Sequence, residues 1–177
     1  GTVTNSGNIY VPLGKVGLGS GEQATLDFSG DGFLQVALPT NAKTDGALIE
    51  NSGTIKADGG AVIMQAATAR EAARNAVNIS GVVQARSIGG KTGAIEIGGG
   101  DGGQVTVSGK LTTASRRAKG GNITVTGKDV GLRGAQLDAS GKSGGGNVKG
   151  GGDRQGGGTL QHADTVTMDA ASTIKAE

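Results

Sequence analysis

Short alternations of apolar and polar residues recur from one end of the chain to the other, with the period of two that marks a half-buried strand. In QVTVSG, Val105 and Val107 fall on one side and Thr106 and Ser108 on the other, because successive side chains of a strand point to opposite faces. Ile95 with Ile97, Ile123 with Val125, and Val166 with Met168 repeat the arrangement, in TGAIEI, GGNITV and DTVTM, and GGAVIM is an earlier copy. A second phrase reads small, any, branched apolar, polar, Ala, polar. It occurs as GTIKAD from Gly53, GVVQAR from Gly81, AQLDAS from Ala135 and STIKAE from Ser172, with GKLTTA from Gly109 as a weaker copy. Its anchors Ile55, Val83, Leu111, Leu137 and Ile174 stand 28, 28, 26 and 37 positions apart. Strands this short cannot bury their apolar pairs alone. If each repeat is one coil of a solenoid, like strands pair in parallel about 4.8 Å apart and the inward Val, Ile, Leu and Ala form continuous columns. The pattern predicts an all-β parallel β-helix over residues 1–177 as one unit, with roughly seven coils and a length of about 35 Å.

Three segments depart from the pattern. ATLDF and FLQVA flank Ser29–Gly32, which predicts an antiparallel hairpin over Ala24–Ala37 that folds back onto an apolar surface through its phenylalanines. In ATAREAARNAV, Thr68 and Glu71 have the spacing of a capping box, and Ala66, Ala69, Ala73, Ala76 and Val77 recur at helical intervals, so one short helix or helical turn is expected there. Gly141–Gly158 holds ten glycines in eighteen residues, which predicts a loop with one short strand. Asn5, Asn51 and Asn78 precede corners, where stacked amides would cap backbone groups.

Composition narrows the function classes. The 177 residues include 37 Gly, no Cys, no Trp and one His. Tyr10, Phe28 and Phe33 are the aromatics, too few to build a conventional globular core or a base-stacking platform. The glycines lack the three-residue period of collagen. With 17 basic and 15 acidic residues, the formal charge of +2 leaves no extended basic stripe, and nucleic acid is set aside as a partner. Zero cysteines removes disulfides and thiolate chemistry. No run reaches the roughly 20 apolar residues that cross a bilayer as a helix, and no membrane insertion is expected. The chain alternates from its first residues and STIKAE halts inside a repeat phrase, so both ends are expected to lie mid-repeat in a much longer protein.

The candidate motifs are weak. IGGKTG at Ile88–Gly93 resembles part of a phosphate-binding loop, but Ala85 stands where the first glycine is required. GGGDGG and GGGDRQGGG resemble calcium nonapeptides without the required residue order. Asp27, Asp31, Asp101, Asp129, Asp138 and Asp153 form no acid–base constellation, and His162 has no partner motif. No catalytic residue, metal site or cofactor is assigned. Outward Thr106, Ser108, Thr124 and Thr126 offer hydroxyls, but coils of unequal length do not make a regular ice-binding lattice. The densest cation cluster, Arg116, Arg117 and Lys119, is the candidate ligand-binding site, since arginine pairs with the sulfate or carboxylate of acidic glycans.

LDFSGDGFLQVAL, IENSGTIKADGGAVIM, AREAARNAVNISGVVQA, GGNITVTG and GAQLDASGKSGGG together resemble the filamentous haemagglutinin family of large exoproteins, in the region following the amino-terminal haemagglutination and secretion domain. The resemblance implies a right-handed parallel β-helix, export by two-partner secretion through an outer-membrane transporter, and a place in the extracellular space or on the bacterial cell surface. It implies adhesion to host cells, other bacteria or matrix and biofilm polysaccharide. Asn78-Ile79-Ser80 and Asn122-Ile123-Thr124 match the glycosylation sequon, and some members of that family are glycosylated on asparagine; structural roles, at a corner for Asn78 and in a turn for Asn122, are expected instead. The alternatives are a structural spacer carrying a distal effector and a polysaccharide-active β-helix enzyme. End-to-end self-association is a further expected partner mode.

Overall fold

A computed structural model describes residues 1–27, 33–37, 39, 45–72 and 74–177. The first coil holds β1 (Val3–Asn5), β2 (Asn8–Tyr10) and β3 (Lys15–Ser20), followed by β4 (Gln23–Leu26) and β5 (Leu34–Ala37). The second holds β6 (Ile49–Asn51), β7 (Thr54–Lys56) and β8 (Ala61–Ala66), and the third β9 (Arg74–Ile79), β10 (Val82–Gln84) and β11 (Ala94–Gly98). The fourth holds β12 (Gly103–Val107), β13 (Lys110–Thr112) and β14 (Asn122–Thr126). The fifth holds β15 (Asp129–Leu132), β16 (Gln136–Asp138) and β17 (Asn147–Gly150), and the sixth β18 (Thr165–Met168) and β19 (Thr173–Lys175). The first strand of every coil enters one parallel sheet, the second another and the third a third, in orders β1-β6-β9-β12-β15-β18, β2-β7-β10-β13-β16-β19 and β3-β8-β11-β14-β17. This is a parallel β-helix with six strands in its longest sheets, one coil fewer than the repeat spacing predicts, because the 46 positions from Val3 to Ile49 make one coil carrying a hairpin.

The register stacks the predicted anchors directly on one another. Ile9, Ile55, Val83, Leu111, Leu137 and Ile174 form one column. Val62, Ile95 and Ile123 form a second, and Met64, Ile97 and Val125 a third. In the middle coils these side chains are fully or almost fully buried, and each stabilises the fold by roughly 1.5–3 kcal/mol relative to exposure. At the corner entering the second sheet, the repeated Ser-Gly brings Gly53, Gly81 and Gly109 under the carbonyl of the coil before. A Cβ on Gly81 would sit 2.0 Å from the Gly53 oxygen, so no other side chain fits there. The fifth coil instead inserts Gly134 at φ +67° and places Ala135 in the column.

β4 and β5 pair antiparallel, from Gln23 opposite Ala37 to Leu26 opposite Leu34, as the pattern predicts; the turn at 29–32 and Phe28 lie outside the described residues. The hairpin folds onto the outer face of β3, where Gly17 and Gly19 make room for Phe33, Leu34 and Val36. Asn5 and Asn51 stack, Asn5 Nδ2 donating to Asn51 Oδ1 at 2.7 Å. Asn78 does not extend that ladder: it pairs with Glu50 and Thr106 in mid-strand, and Ile79 continues the column. Asn122 starts β14 and accepts from Asn147 Nδ2 at 3.0 Å, a second amide ladder where a turn residue was expected.

The helix expected at Ala66–Val77 does not form among the described residues, which here exclude Ala73. A single turn closes from Ala72 N to Ala69 O, and Arg74–Ile79 is strand. The Thr68 hydroxyl donates to Gly99 O at 2.7 Å and accepts from Gly102 N at 3.0 Å, bridging to the next coil rather than capping a helix. Helical residues would leave the ladder between β6 and β12 empty, and burying Val77 and Ile79 there outweighs alanine's helix propensity. Ala76 is the extra, buried residue of a bulge opposite Gln104 and Val105. The glycine-rich 141–158 segment contains β17 and a 3-10 turn at Arg154–Gly156.

Candidate functional site

Where the second sheet turns into the third, consecutive coils project loops from one edge of the rod. In the third coil the loop is built on Ser87, whose buried hydroxyl accepts from Gly93 N at 3.0 Å. It reverses through Ile88–Lys91, with Gly89 at φ +57° and Gly90 at +78°; the IGGKTG motif is thus a tight turn. In the fourth coil Ser115 occupies the equivalent place and its hydroxyl accepts from Ala118 N at 3.0 Å. Between the two loops lies a groove of about 290 Å³, lined by Ile88 from the third coil's loop and by Ser115, Arg116 and Arg117 from the fourth's.

Arg86 also borders the groove, but its charge is already answered. Asp58, from the coil before, accepts from Arg86 Nη2 at 2.7 Å, from Arg86 Nε at 3.1 Å, from Arg86 N at 2.9 Å and from Gln84 Nε2 at 2.8 Å. Burial pushes the Asp58 carboxyl up, yet the bonds from Arg86 and Gln84 outweigh it and hold it below its ordinary value. The side-chain bond to Asp58 in turn pushes the Arg86 guanidinium up, against the effect of its own burial. Arg116 and Arg117 are exposed and make no ion pair among the described residues. Lys119, also exposed, follows in the same loop but does not line the groove. The structure therefore brings Arg116 and Arg117 together with Ile88 and leaves Lys119 aside. Ile88 and Ser115 were missed by sequence reasoning; the signal was the serine two residues after a buried Ala85 or Thr113 in successive repeats.

The carboxylates are dispersed over other work. Asp138 accepts from Ser140 N and Oγ, Asp129 from the Thr165 hydroxyl, and Asp153 pairs with Lys149 at 2.7 Å. Asp101 lies on a different face, and Asp31 is outside the described residues. His162 is exposed in the loop beside Gly152, as its lack of a partner motif suggested.

No protein-family model and no curated protein matches the chain. Among solved structures it is similar to the HMW1 secretion domain from Haemophilus influenzae, with a TM-score of 0.79 and 29% identity over 100% of this chain. The match spans 45% of that solved chain. The likeness supports a parallel β-helix related to secreted proteins of that kind.

Proposed function

We propose that this chain is a non-catalytic segment of a secreted, adhesin-related exoprotein, delivered by two-partner secretion through an outer-membrane transporter and holding its parent protein at the bacterial surface or in matrix. The end-to-end likeness to the HMW1 secretion domain carries this reading, and the sequence phrases shared with filamentous haemagglutinins support it. The place following the haemagglutination and secretion domain is part of the same proposal and rests on the shared sequence phrases alone. Attachment is to acidic glycans at the corner groove. Arg116 and Arg117 supply two guanidinium groups, without an ion pair among the described residues, that match carboxylate or sulfate in a forked geometry, Ile88 offers an apolar wall to a sugar ring, and Lys119 adds charge in the same loop.

Binding of the chain to immobilised uronate and sulfated polysaccharides, with neutral polysaccharide as reference, tests this. The Arg116→Ala/Arg117→Ala variant is expected to lose about tenfold or more in affinity for the acidic set, and wild-type binding is expected to weaken as salt rises. Equal binding by the double variant overturns the assignment of the groove, and silence across acidic glycans favours a spacer.

A further inference from the structure

The outer face of the third sheet carries a glycine that its backbone does not require. Gly98 ends β11 at an outward position, beside Gln65 on β8 and, on β14, Thr126. A Cβ there would meet Thr126 Oγ1 at 3.6 Å and Gln65 Cγ at 3.7 Å, ordinary contact distances, and its φ is not left-handed. Strand positions of this kind usually carry a side chain, and a glycine in one commonly marks close approach by something else. The same column shows such an approach: Gly19, in register with Gln65, is the residue over which the hairpin's Leu34 and Val36 pack. Over Gly98 there is instead a hollow of about 350 Å³, bounded by Val36 on the hairpin side and Gln161 on the other. It adjoins a second hollow of about 150 Å³ that shares Gln65 and Thr126 and includes Glu96, Thr124 and Leu160. Together they form a trough along β11, between the two excursions from the rod.

We propose that this trough binds a neutral oligosaccharide, with Gly98 forming the notch that admits a sugar ring. Its chemistry selects against the alternatives. Glu96 and Asp101 line it and repel the acidic glycans suited to Arg116 and Arg117. β8, β11 and β14 are each hydrogen-bonded on both sides, so an extended peptide finds no open ladder to join. What remains is a set of groups that both donate and accept. The amide of Gln65 and the hydroxyl of Thr124 have no partner among the described residues. Gln161 Nε2 donates to Gly100 O at 2.8 Å, and its carbonyl oxygen has no partner among the described residues. Thr126 donates to Ile97 O at 3.4 Å and keeps its acceptor lone pairs. Amides, hydroxyls and the two carboxylates match the paired donor and acceptor of sugar hydroxyls, and Val36 and Leu160 add apolar contact. No aromatic ring lines the trough among the described residues, so a single site is weak and is read best by spectroscopy.

Amide chemical shifts of the whole chain, titrated with cellotetraose, maltotetraose, chitotetraose and lactose, test the site. At least one sugar is expected to shift the signals of Gln65, Glu96, Gly98 and Thr126 saturably. Gly98→Val fills the notch with a residue that strands favour, so it is expected to melt no lower than wild type while losing at least about tenfold in affinity. Gln65→Ala is the second variant and is expected to weaken binding in the same direction. The Arg116→Ala/Arg117→Ala variant is expected to bind the neutral sugar unchanged, which separates failure here from failure of the corner groove. Absence of shifts with every sugar at millimolar concentration, or unaltered binding by a folded Gly98→Val, overturns the proposal.

Discussion

Thr113 stands in a column where the neighbouring coils place Ala57, Ala85 and Ala139, and like them it is wholly buried. Its hydroxyl has no hydrogen-bond partner among the described residues, and a buried hydroxyl left unpaired costs about 1–3 kcal/mol. Thr113→Val keeps the shape and removes the polar atom. The variant should be more stable by about 1 kcal/mol, seen as a higher denaturant midpoint at unchanged slope; a lower midpoint would reveal a partner for the hydroxyl. Asp58 is the opposite case, a half-buried polar group answered many times over. Because its folded pKa is depressed below 3.8, its contribution is complete at pH values above that and is lost as pH falls through the folded value. Unfolding curves between neutral pH and about pH 2 should therefore show a steeper acid loss for wild type than for Asp58→Asn. Parallel profiles for the two proteins would remove Asp58 from the acid response.

At the scale of elements, the columns were legible and the connections were not. Val105, Val107, Ile123, Val125, Ile95 and Ile97 were expected inward from period alone and are 0–2% exposed, because a strand in a solenoid must alternate and a one-residue slip would expose the whole apolar set. Val125→Asp is accordingly expected to cost several kcal/mol, since the charge enters a column with no counterion; a variant as protease-resistant as wild type would contradict the stacking. The Ala66–Val77 segment misled because its alanines satisfy a helical period, while the ladder position that outweighs it is set by residues about 28 positions away in β6 and β12. The corner groove was half visible for the same reason. Arg116 and Arg117 announce themselves as a cluster, but Ile88 joins them only through the pairing of successive coils. The Gly98 notch was hidden among many glycines, since sequence does not separate a glycine required by a corner from one that leaves space on a face.

At the scale of the molecule, the two ends differ from the middle. The sixth coil leaves Val166, Met168 and Ile174 52%, 49% and 45% exposed, and at the other end Tyr10 and Leu13 are exposed. β18 and β19 each have a hydrogen-bonded neighbour on one side only, as do β1 and β2, and open edges of this kind recruit further strands. Concentration-dependent end-to-end association of this chain follows as an expectation. Light scattering over a wide concentration range checks it, and a strictly monomeric particle at high concentration would speak against it.

The vertical register of the columns also sets a mechanical gearing. The ladder hydrogen bonds run along the rod, so each middle coil holds the 28 residues from Ile55 to Val83 within a single strand spacing. That spacing is about 4.8 Å, whereas 28 residues drawn out extend to about 90–100 Å. A load pulling the ends apart would peel coils one at a time from an open end, each release paying out a length roughly twenty times what the coil contributed when folded. Stretching single molecules should then give a sawtooth with steps near 90 Å for the middle coils and longer ones for the 37- and 46-residue coils at the ends, where one all-or-none extension would indicate that the coils yield together. If the rod tethers a cell as proposed, flowing liquid would brake that cell in increments rather than snap the tether.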